Sequence, residues 1–482
     1  MTDSRSLPWR LTRCAISVAW LLVATRAGAA DAQPLSANQR LARDVYRELV
    51  ELDTVTATGD TAKAAQAMAA RLRAGGFPEG DVHVFTPGTR KGNLVARLRG
   101  TGARRPILLV AHLDVVDARR EDWTTDPFKL VEKDGWFYGR GTADDKAMAA
   151  AFVSNLVRYR REGYLPERDI VVALETDEEI GDRDGLGMQW LLKHHRDLID
   201  AELALNEGGS VAHLKAKPVM IGLQTAEKVL VNFVLEVKSR GGHSSVPVKE
   251  NAIYQLAAGL GRLSQLEFPV RLNSTTRAWL EKAAGTQEPA VAADMRAVAS
   301  REDPAAAARL SATPFLAAQL RTTCVATQLE GGHAPNALPQ VARATVNCRV
   351  LPGESIEDVR NTLMRVLADD RIAVTILSQA SASPPSPIDL ALVQTIERIA
   401  ADFWPAVPVV PLMSASGTDG RFLRTAGIPT YGHSGFRGDL DDIRAHGRDE
   451  RMSVRAFDDG TEYLYRLVKA LAGTGTRADR SE

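Results

Sequence analysis

The 482-residue sequence predicts an α/β fold: a doubly wound, mostly parallel sheet interrupted by an inserted ferredoxin-like α+β domain. The first indication is a set of continuous apolar runs, residues 107–111 and 170–174, that alternate with helical patterns. Such runs are typical of parallel strands covered by helices on both faces. The second is a change near Lys228, after which Val229–Lys238 alternates apolar and polar residues like a half-exposed strand.

The first part of the α/β domain is predicted at residues 33–226. It opens with a helix at 36–52 and a second at Thr61–Ala74, which ends at Gly75-Gly76. Strands follow at 107–111, 170–174 and 204–205, with helices at 147–161 and 186–195 between them. This alternation indicates helices packed on both faces of a parallel sheet.

The inserted domain is predicted at residues 227–380. Its elements follow the order β-α-β-β-α-β, which is the ferredoxin-like arrangement. They are predicted at 229–238, 252–263, 324–329, 342–350, 356–367 and 372–377, with an Ala-rich helical segment at about 275–320 after the first helix. Residues 384–387, with three prolines, form a linker to the second part of the α/β domain, 381–482, which contributes a strand at 428–431.

Residues 1–32 have the pattern of a secretory signal peptide. Arg5, Arg10 and Arg13 precede an apolar run at 14–24, and small residues offer cleavage after Ala29 or Ala32. The run is too short for a membrane span, so we expect export to the periplasm or the exterior and no stable span after cleavage. An uncleaved membrane anchor is the alternative.

The charge balance bears on the class of partner, whereas the composition does not decide whether the cysteines are paired. The 60 Lys and Arg residues balance 60 Asp and Glu residues, which argues against a nucleic-acid binder. Cys14 would leave with the signal peptide. In an exported protein Cys324 and Cys348 would either pair or remain buried thiols, and the sequence does not choose between them.

Histidine and carboxylates follow the predicted parallel strands at the edge where such sheets bind ligands. His112 and Asp114 follow the first strand, four carboxylates at 175–179 follow the second, and Glu207 follows the third. Each cluster has a structural alternative, such as a capping box from Thr176 to Glu179. Their convergence on one edge favours a zinc site, since imidazole and carboxylate both suit that ion.

The ordered motifs resemble a family of dinuclear zinc peptidases, over residues of about 106 to 471. The family includes aminoacylase, acetylornithine deacetylase, succinyl-diaminopimelate desuccinylase, glutamate carboxypeptidase and carboxypeptidase S. The matching motifs are His112-Leu-Asp114, Asp126-Pro-Phe, Gly139-Arg-Gly-Thr-Ala-Asp144-Asp-Lys, Thr176-Asp-Glu178-Glu179, Asn206-Glu207-Gly-Gly and Gly241-Gly-His243-Ser-Ser-Val-Pro.

The resemblance implies two zinc ions per subunit, with cobalt or manganese as alternatives. Asp144 would bridge the two ions. His112 and Glu207 would complete one site, and Glu179 and His446 the other.

The same resemblance assigns the remaining site residues. Glu178 would be the general base, and Asp114 would orient His112. His243 would reach the active site from the inserted domain, which would act as a lid and as the contact of a homodimer. The expected substrate-binding residues are His243, Asn336, Arg349, Gly417 and Thr418. His333 and His433 lie in loops near these motifs, where a functional and a structural role are both open.

These assignments imply a hydrolase that cleaves an amide bond next to a free carboxylate. A carboxypeptidase or dipeptidase is favoured, and an N-acyl-amino-acid hydrolase of the aminoacylase type is the alternative. A non-catalytic exported binding protein on the same fold is a further alternative. The expected partners are small peptides or N-acyl amino acids.

Overall fold

The computed structural model of the chain describes residues 34–377 and 382–475. The predicted signal peptide and the predicted boundary at residue 381 lie outside the described residues. Among the described helices, none combines the length and the apolar character that a membrane span requires.

Fourteen α-helices are found in the described residues. They are α1 (Ala37–Glu51), α2 (Thr61–Ala74), α3 (Lys146–Arg161), α4 (Met188–His194), α5 (Arg196–Ile199), α6 (Ala252–Leu263), α7 (Ser274–Ala283), α8 (Pro289–Arg301), α9 (Pro304–Ser311), α10 (Pro314–Leu320), α11 (Ile356–Leu367), α12 (Leu390–Ala400), α13 (Gly420–Thr425) and α14 (Val454–Ala472).

Nineteen strands are found in the same residues. They are β1 (Val82–Gly88), β2 (Lys91–Leu98), β3 (Ile107–His112), β4 (Val131–Lys133), β5 (Trp136–Tyr138), β6 (Ile170–Glu175), β7 (Leu203–Asn206), β8 (Val211–Leu214), β9 (Lys217–Glu227), β10 (Val229–Lys238), β11 (Gly242–His243), β12 (Thr323–Gly331), β13 (Ala337–Leu338), β14 (Val341–Val350), β15 (Ile372–Ile376), β16 (Val409–Ser414), β17 (Thr430–Gly432), β18 (Arg437–Asp439) and β19 (Arg451–Ser453).

The central sheet has ten strands in the order β1-β2-β6-β3-β7-β17-β9-β8-β18, with β16 beside β9. Its middle strands β6, β3, β7 and β17 run parallel to one another. Every residue of β3 and β6 is buried, as the continuous apolar runs predict. The predicted α/β fold with a mostly parallel sheet is therefore confirmed.

Helices cover the central sheet on both faces. Leu109 and Ala111 of β3 belong to a core that includes residues of α1, α2, α3 and α14. Leu108 and Val110 belong to a second core that includes residues of α4 and α13. Alternate side chains of one strand thus enter opposite cores, which holds the carboxyl end of the strand in place between two helical layers.

The inserted domain has its own sheet, with the antiparallel order β12-β14-β10-β15. Phe233 and Leu235 of β10 point to one side and pack with Leu256 of α6 and Leu363 of α11. Strand β12 is the exposed edge of this sheet, and seven of its nine residues are exposed.

The helical segment α7–α10, which the sequence predicts within the inserted domain, packs against strands of the central sheet. Its core contains Trp279, Leu280 and Leu310 together with Val410 of β16, and Met220 and Leu412 pack against it. The reason is that β16 lies outside the main strand order, beside β9, and presents apolar side chains that these helices cover. The helical segment is therefore anchored on the central sheet.

Cys324 and Cys348 form a disulfide bond. The two residues lie directly opposite each other on β12 and β14. Of the two alternatives that the sequence left open, the structure has the paired one, which links the edge strand covalently to its neighbour.

Candidate metal centre

The predicted metal ligands meet at the carboxyl edge of the central sheet. His112 is the last residue of β3, Glu207 follows β7, and Glu178 and Glu179 lie in a single 3-10 turn, Glu178–Ile180, after β6. Asp144 precedes α3 in the Gly139–Lys146 loop. Because these strands are neighbours and parallel, their ends bring residues that are distant in sequence to one place.

Asp144 lies between two histidines. Its Oδ1 is 3.0 Å from His112 Nε2, and its Oδ2 is 3.1 Å from His446 Nε2. Burial alone would raise the pKa of Asp144, but the contacts with both histidines hold it well below its usual range. Asp144 therefore stays ionised and presents one oxygen to each side, which is the arrangement that a bridging carboxylate needs.

The described residues contain two groups that could hold a metal ion. The first is His112 with Glu178 and Glu207, and the second is His112 with Asp144 and Glu179. Glu179 also places Oε2 2.9 Å from His446 Nε2, whereas its buried Oε1 has no hydrogen-bond partner among the described residues. A buried carboxylate oxygen without a donor fits a cation as its partner. The residues present thus fit two adjacent metal ions.

The carboxylates around both histidines raise the pKa of each imidazole. Contacts with Asp144 and Glu179 raise the pKa of His446 to about 10. Burial opposes a charge on His112, but its hydrogen bond with Asp144 and the nearby carboxylates outweigh burial and raise its pKa well above the ordinary value. The shifts reflect the negative charge that surrounds the histidines, which a metal ion would neutralise.

Glu178 and Glu207 show the same crowding. Burial raises the pKa of Glu178 well above its ordinary value, with Asp419 and Asp144 adding to the shift. Burial and the charges of Glu178 and Asp144 do the same for Glu207. Three half-buried carboxylates that lie close together repel one another unless cations lie between them.

The Asp114 carboxylate lies beside His112, and its hydrogen bonds go to other groups. His112 Nδ1 donates to the main-chain carbonyl of Asp114 at 2.9 Å, while the carboxylate is 3.7 Å away. The carboxylate instead accepts from the backbone N–H groups of Glu178 and Glu179, both at 3.2 Å, and from Thr56 Oγ1 at 3.0 Å. Asp114 thus orients His112 through its backbone and holds the Glu178 turn through its side chain.

The structural alternatives for the acidic clusters are not realised. Thr176 makes no cap, because its hydroxyl hydrogen-bonds with Thr61 Oγ1 at 2.8 Å, and the Glu178–Ile180 turn has no side-chain cap. Asp145 precedes α3 without a side-chain capping bond. Helix capping therefore does not account for these carboxylates.

Sequence reasoning missed Glu450, which holds the Asp144 loop. Glu450 Oε1 accepts from the backbone N–H groups of Ala143 at 2.7 Å and Asp144 at 3.2 Å. Its Oε2 accepts from Arg140 Nη1 at 2.6 Å, and the side chains of both residues are at most 3% exposed. Arg140 also donates to the carbonyl of His446 at 3.5 Å. The pair thus supports the loops of two predicted ligands, although 310 residues separate its members.

A second pair of buried carboxyls, Glu175 and Asp419, lies beneath the site and was also not singled out. Burial raises the pKa of Asp419 to about 7. Burial and the charge of Asp419 raise the pKa of Glu175 well above its ordinary value. Burial thus disfavours a negative charge on either carboxyl. Neither position could be distinguished in the sequence from the many carboxylates around it.

Among the predicted substrate-binding residues, three meet at the loop that follows β16. Arg349 of β14 donates through Nη1 to the carbonyl of Ala415 at 3.0 Å. The hydroxyl of Thr418 is turned away from solvent and donates to Glu227 Oε2 at 3.0 Å. Gly417 packs against the guanidinium of Arg421, which would have to move to make room for a side chain there.

His243 and Asn336 lie together in the inserted domain, on and beside the short pair β11 and β13. Ser244 N donates to Asn336 O at 3.0 Å, and His243 Nδ1 lies 2.7 Å from Ser245 Oγ. Both side chains are exposed. Within the described ranges, no hydrogen bond or ion pair joins either residue to the metal-ligand set.

His433 has a structural role. It is fully buried, its Nδ1 donates to Gly222 O at 2.8 Å, and its Nε2 accepts from Tyr463 Oη at 2.6 Å. Burial lowers its pKa to about 4. His333 is exposed near the tip of the β12–β14 hairpin.

Comparison with known proteins identifies the family. Residues 108–470 match the description "Peptidase family M20/M25/M40". The chain is similar to the human N-fatty-acyl-amino acid synthase/hydrolase PM20D1, with 30% identity over 76% of this chain and 74% of the relative. It is also similar to the probable carboxypeptidase S-like 2 of Dictyostelium discoideum, with 29% identity over 76% of this chain and 71% of the relative.

A solved structure shares the fold. The M20 family metallo-carboxypeptidase Sso-CP2 from Sulfolobus solfataricus superposes with a TM-score of 0.68 at 19% identity, over 89% of this chain and 98% of the other. The family match covers the strands, loops and helices that build the candidate metal centre. The chain therefore belongs to peptidase family M20/M25/M40 and is a metal-dependent hydrolase of carbon–nitrogen bonds, similar to carboxypeptidase S-like proteins and to aminoacylase-1.

Proposed function

We propose that this protein is an exported hydrolase with two zinc ions that cleaves an amide bond next to a free carboxylate. The observation that carries the proposal is the position of Asp144, with one carboxylate oxygen facing His112 and the other facing His446. Glu207 would complete the first site and Glu179 the second. Imidazole and carboxylate ligands suit zinc, with cobalt or manganese as alternatives.

Glu178 is proposed as the general base. When bound, the two ions would acidify a water molecule and polarise the scissile carbonyl. Glu178 lies in the same group of ligand atoms as His112 and Glu207, and Asp114 holds its turn through two backbone N–H groups. A carboxyl whose pKa is raised by burial is suited to accept a proton from that water and to pass it to the leaving amine.

Arg349 is proposed to bind the carboxylate of the substrate. Its Nη1 donates to Ala415 O, which leaves other guanidinium donors for a bidentate contact. Burial lowers the pKa of Arg349, as expected for a guanidinium that lacks an anionic partner. His243 and Asn336 would reach the substrate from the inserted domain, with Gly417 and Thr418 on the loop that faces Arg349.

Two substrate classes fit this chemistry. A dipeptide or a peptide C-terminus carries an amide bond beside a carboxylate, as cleavage by a carboxypeptidase requires. An N-acyl amino acid carries the same arrangement, and the 30% identity to an N-fatty-acyl-amino acid synthase/hydrolase favours testing it as the second candidate.

Export is proposed from the signal pattern at residues 1–32. The disulfide between Cys324 and Cys348 supports this proposal, since disulfides persist in oxidising compartments such as the periplasm and the exterior.

A homodimer through the inserted domain is proposed from the exposed edge strand β12. Its Val325 and Leu329 side chains are 60% and 68% exposed, and an unpaired apolar edge is suited to pair with a second copy. If His243 acts in a partner's site, mixing inactive His243→Ala and Glu178→Gln subunits should restore activity. No recovery despite demonstrated subunit exchange would refute the shared site.

The central experiment combines metal analysis with a substrate panel. The wild-type protein should bind two zinc ions per chain and hydrolyse at least one of Gly-Leu, N-acetyl-leucine and N-oleoyl-leucine. Glu178→Gln should retain metal and lose roughly 10²- to 10⁴-fold in kcat, the range for general-base catalysis. Full activity of this variant would refute the assigned mechanism, and failure to bind metal would refute the metal centre.

A further inference from the structure

The junction between the central sheet and the inserted domain is built around one buried carboxylate, that of Glu227. Glu227 is the last residue of β9, and Lys228 leads directly into β10. Its side chain is 2% exposed, and burial raises its pKa above the ordinary value. A charged group in such a place requires donors, and these donors show what Glu227 holds.

Two elements of the second half of the chain supply the donors. Oε2 accepts from the backbone N–H of Thr418 at 2.8 Å and from its hydroxyl at 3.0 Å. Oε1 accepts from Arg424 Nη2 of α13, whose side chain is also 2% exposed. Gln224 Nε2 is more distant from Oε2, at 3.4 Å. The Glu227 carboxylate thus binds both Arg424, in a buried ion pair, and Thr418, at the end of a loop.

The loop at residues 415–418 is held at both of its ends by this junction. At its start, Ser414 lies beside Glu227 in the parallel pair of β9 and β16, and Lys228 N donates to Ser414 O at 2.9 Å. At its end, Thr418 is bound to the Glu227 carboxylate. Between the ends, Ser416 bonds to Ser414 Oγ through its N–H at 3.1 Å and its hydroxyl at 3.0 Å, so these bonds also tie the loop to its start beside Glu227.

This loop touches the inserted domain at Arg349. The carbonyl of Ala415 accepts from Arg349 Nη1 at 3.0 Å. Arg349 has no ion-pair partner in the part of the chain that the structure describes. The Ala415 carbonyl is therefore the contact that fixes one end of its guanidinium.

We propose that Glu227 is a positioning residue for Arg349: by anchoring Thr418 and Arg424 at the domain junction, it fixes the 415–418 loop, whose Ala415 carbonyl aims the Arg349 guanidinium. The inference rests on the proposed function, in which Arg349 binds the substrate carboxylate. It assigns to Glu227 an effect on substrate affinity and not on the chemical step, since no hydrogen bond in the described ranges joins Glu227 to Asp144, Glu178 or the histidine ligands.

The test is a double-mutant cycle on KM. Glu227→Gln keeps the size of the side chain but loses the charge that binds Arg424. It should raise KM about tenfold, with kcat within about threefold of the wild type, because an interaction made equally in the ground state and the transition state is lost. Arg349→Gln should raise KM by at least about tenfold. If Glu227 acts through Arg349, the KM of the double variant should exceed that of Arg349→Gln alone by less than about twofold.

A matched control separates positioning from general loss of stability. Asp458→Asn removes the carboxylate of another ion pair, with Arg43, which joins α1 to α14 away from the loop. It should lower the melting temperature and leave KM unchanged. Should Glu227→Gln fail to fold, Thr418→Val removes one of the bonds to Glu227 and should raise KM in the same non-additive way.

The outcomes distinguish this inference from the proposed function. If Arg349→Gln leaves KM unchanged, the proposed carboxylate site is wrong and this inference falls with it. If Arg349→Gln raises KM while Glu227→Gln and Thr418→Val do not, or if their effects multiply with that of Arg349→Gln, only the inference is overturned.

Discussion

The buried pair of Arg140 and Glu450 should control both stability and metal affinity. Glu450 receives three hydrogen bonds, from Ala143 N, Asp144 N and Arg140 Nη1. In Glu450→Gln the amide oxygen can keep the two backbone bonds, but the amide N–H groups would face the Arg140 donors. A guanidinium whose side chain is 3% exposed would then lack its counter-charge.

The expected cost follows from that geometry. Removing one partner of a buried ion pair costs about 3 to 5 kcal/mol, and the retained backbone bonds place Glu450→Gln near 3 kcal/mol. The Asp144 loop would keep its two backbone bonds but lose its link to Arg140, and weakening of such support lowers metal affinity about 10- to 100-fold. Urea unfolding of the metal-free protein measures the first quantity, and zinc titration against a competing chelator measures the second.

Asp458→Asn is again the matched control. Its pair with Arg43 has side chains that are 17% and 16% exposed, so its loss should cost about 1 kcal/mol or less and leave zinc affinity unchanged. If Glu450→Gln costs no more than this control and binds zinc as tightly as the wild type, Glu450 does not hold the Asp144 loop.

Three further predictions address other parts of the molecule. Because burial lowers the pKa of His433 to about 4, below its unfolded value, its contribution to stability is present above pH 6.5 and is lost as the pH falls toward 4. The free energy of unfolding, measured with urea, should fall between pH 7 and pH 4.5 by about 2 kcal/mol less in His433→Gln than in the wild type. An equal decrease in both proteins would contradict this prediction. Reducing the Cys324–Cys348 disulfide should lower stability by about 3 kcal/mol, the value for a loop of this length, and a Cys324→Ser/Cys348→Ser variant should not respond to reductant. Asp114→Asn should lower kcat at least about tenfold by loosening the Glu178 turn. It should leave zinc affinity within about threefold, because His112 is oriented by a main-chain carbonyl; a large loss of zinc would show that the carboxylate orients the ligand after all.

Local patterns in the sequence were sufficient for most of the elements. The predicted helices Thr61–Ala74, Ala252–Leu263 and Ile356–Leu367 have the same bounds in the structure. Periodicity and terminal residues are properties of short segments, so they can be read without the tertiary fold. The ordered motifs likewise led to the family, and the motifs at His112, Thr176 and Asn206 lie at the ends of β3, β6 and β7.

Contacts between distant segments could not be derived in this way. The role of Glu450 depends on Arg140, and the carboxylate of Asp114 serves backbone groups that no sequence pattern marks. The docking of α7–α10 on β16 depends on which strand is left uncovered. The assigned roles of the site residues stay predictions that the experiments above test.

The position of the helical segment has a consequence for motion. Since α7–α10 belong to the body formed around the central sheet, the chain passes between that body and the inserted domain four times: after β9, between α6 and α7, between α10 and β12, and between β15 and α12. A domain attached by two adjacent segments can rotate about the line through them. The two additional connections, one of which is tied to the first by the hydrogen bond from Lys228 Nζ to Arg321 O at 2.6 Å, remove much of that freedom. Closure over a substrate is therefore expected to proceed by small adjustments of loops and side chains, with little swing of the inserted domain as a rigid body.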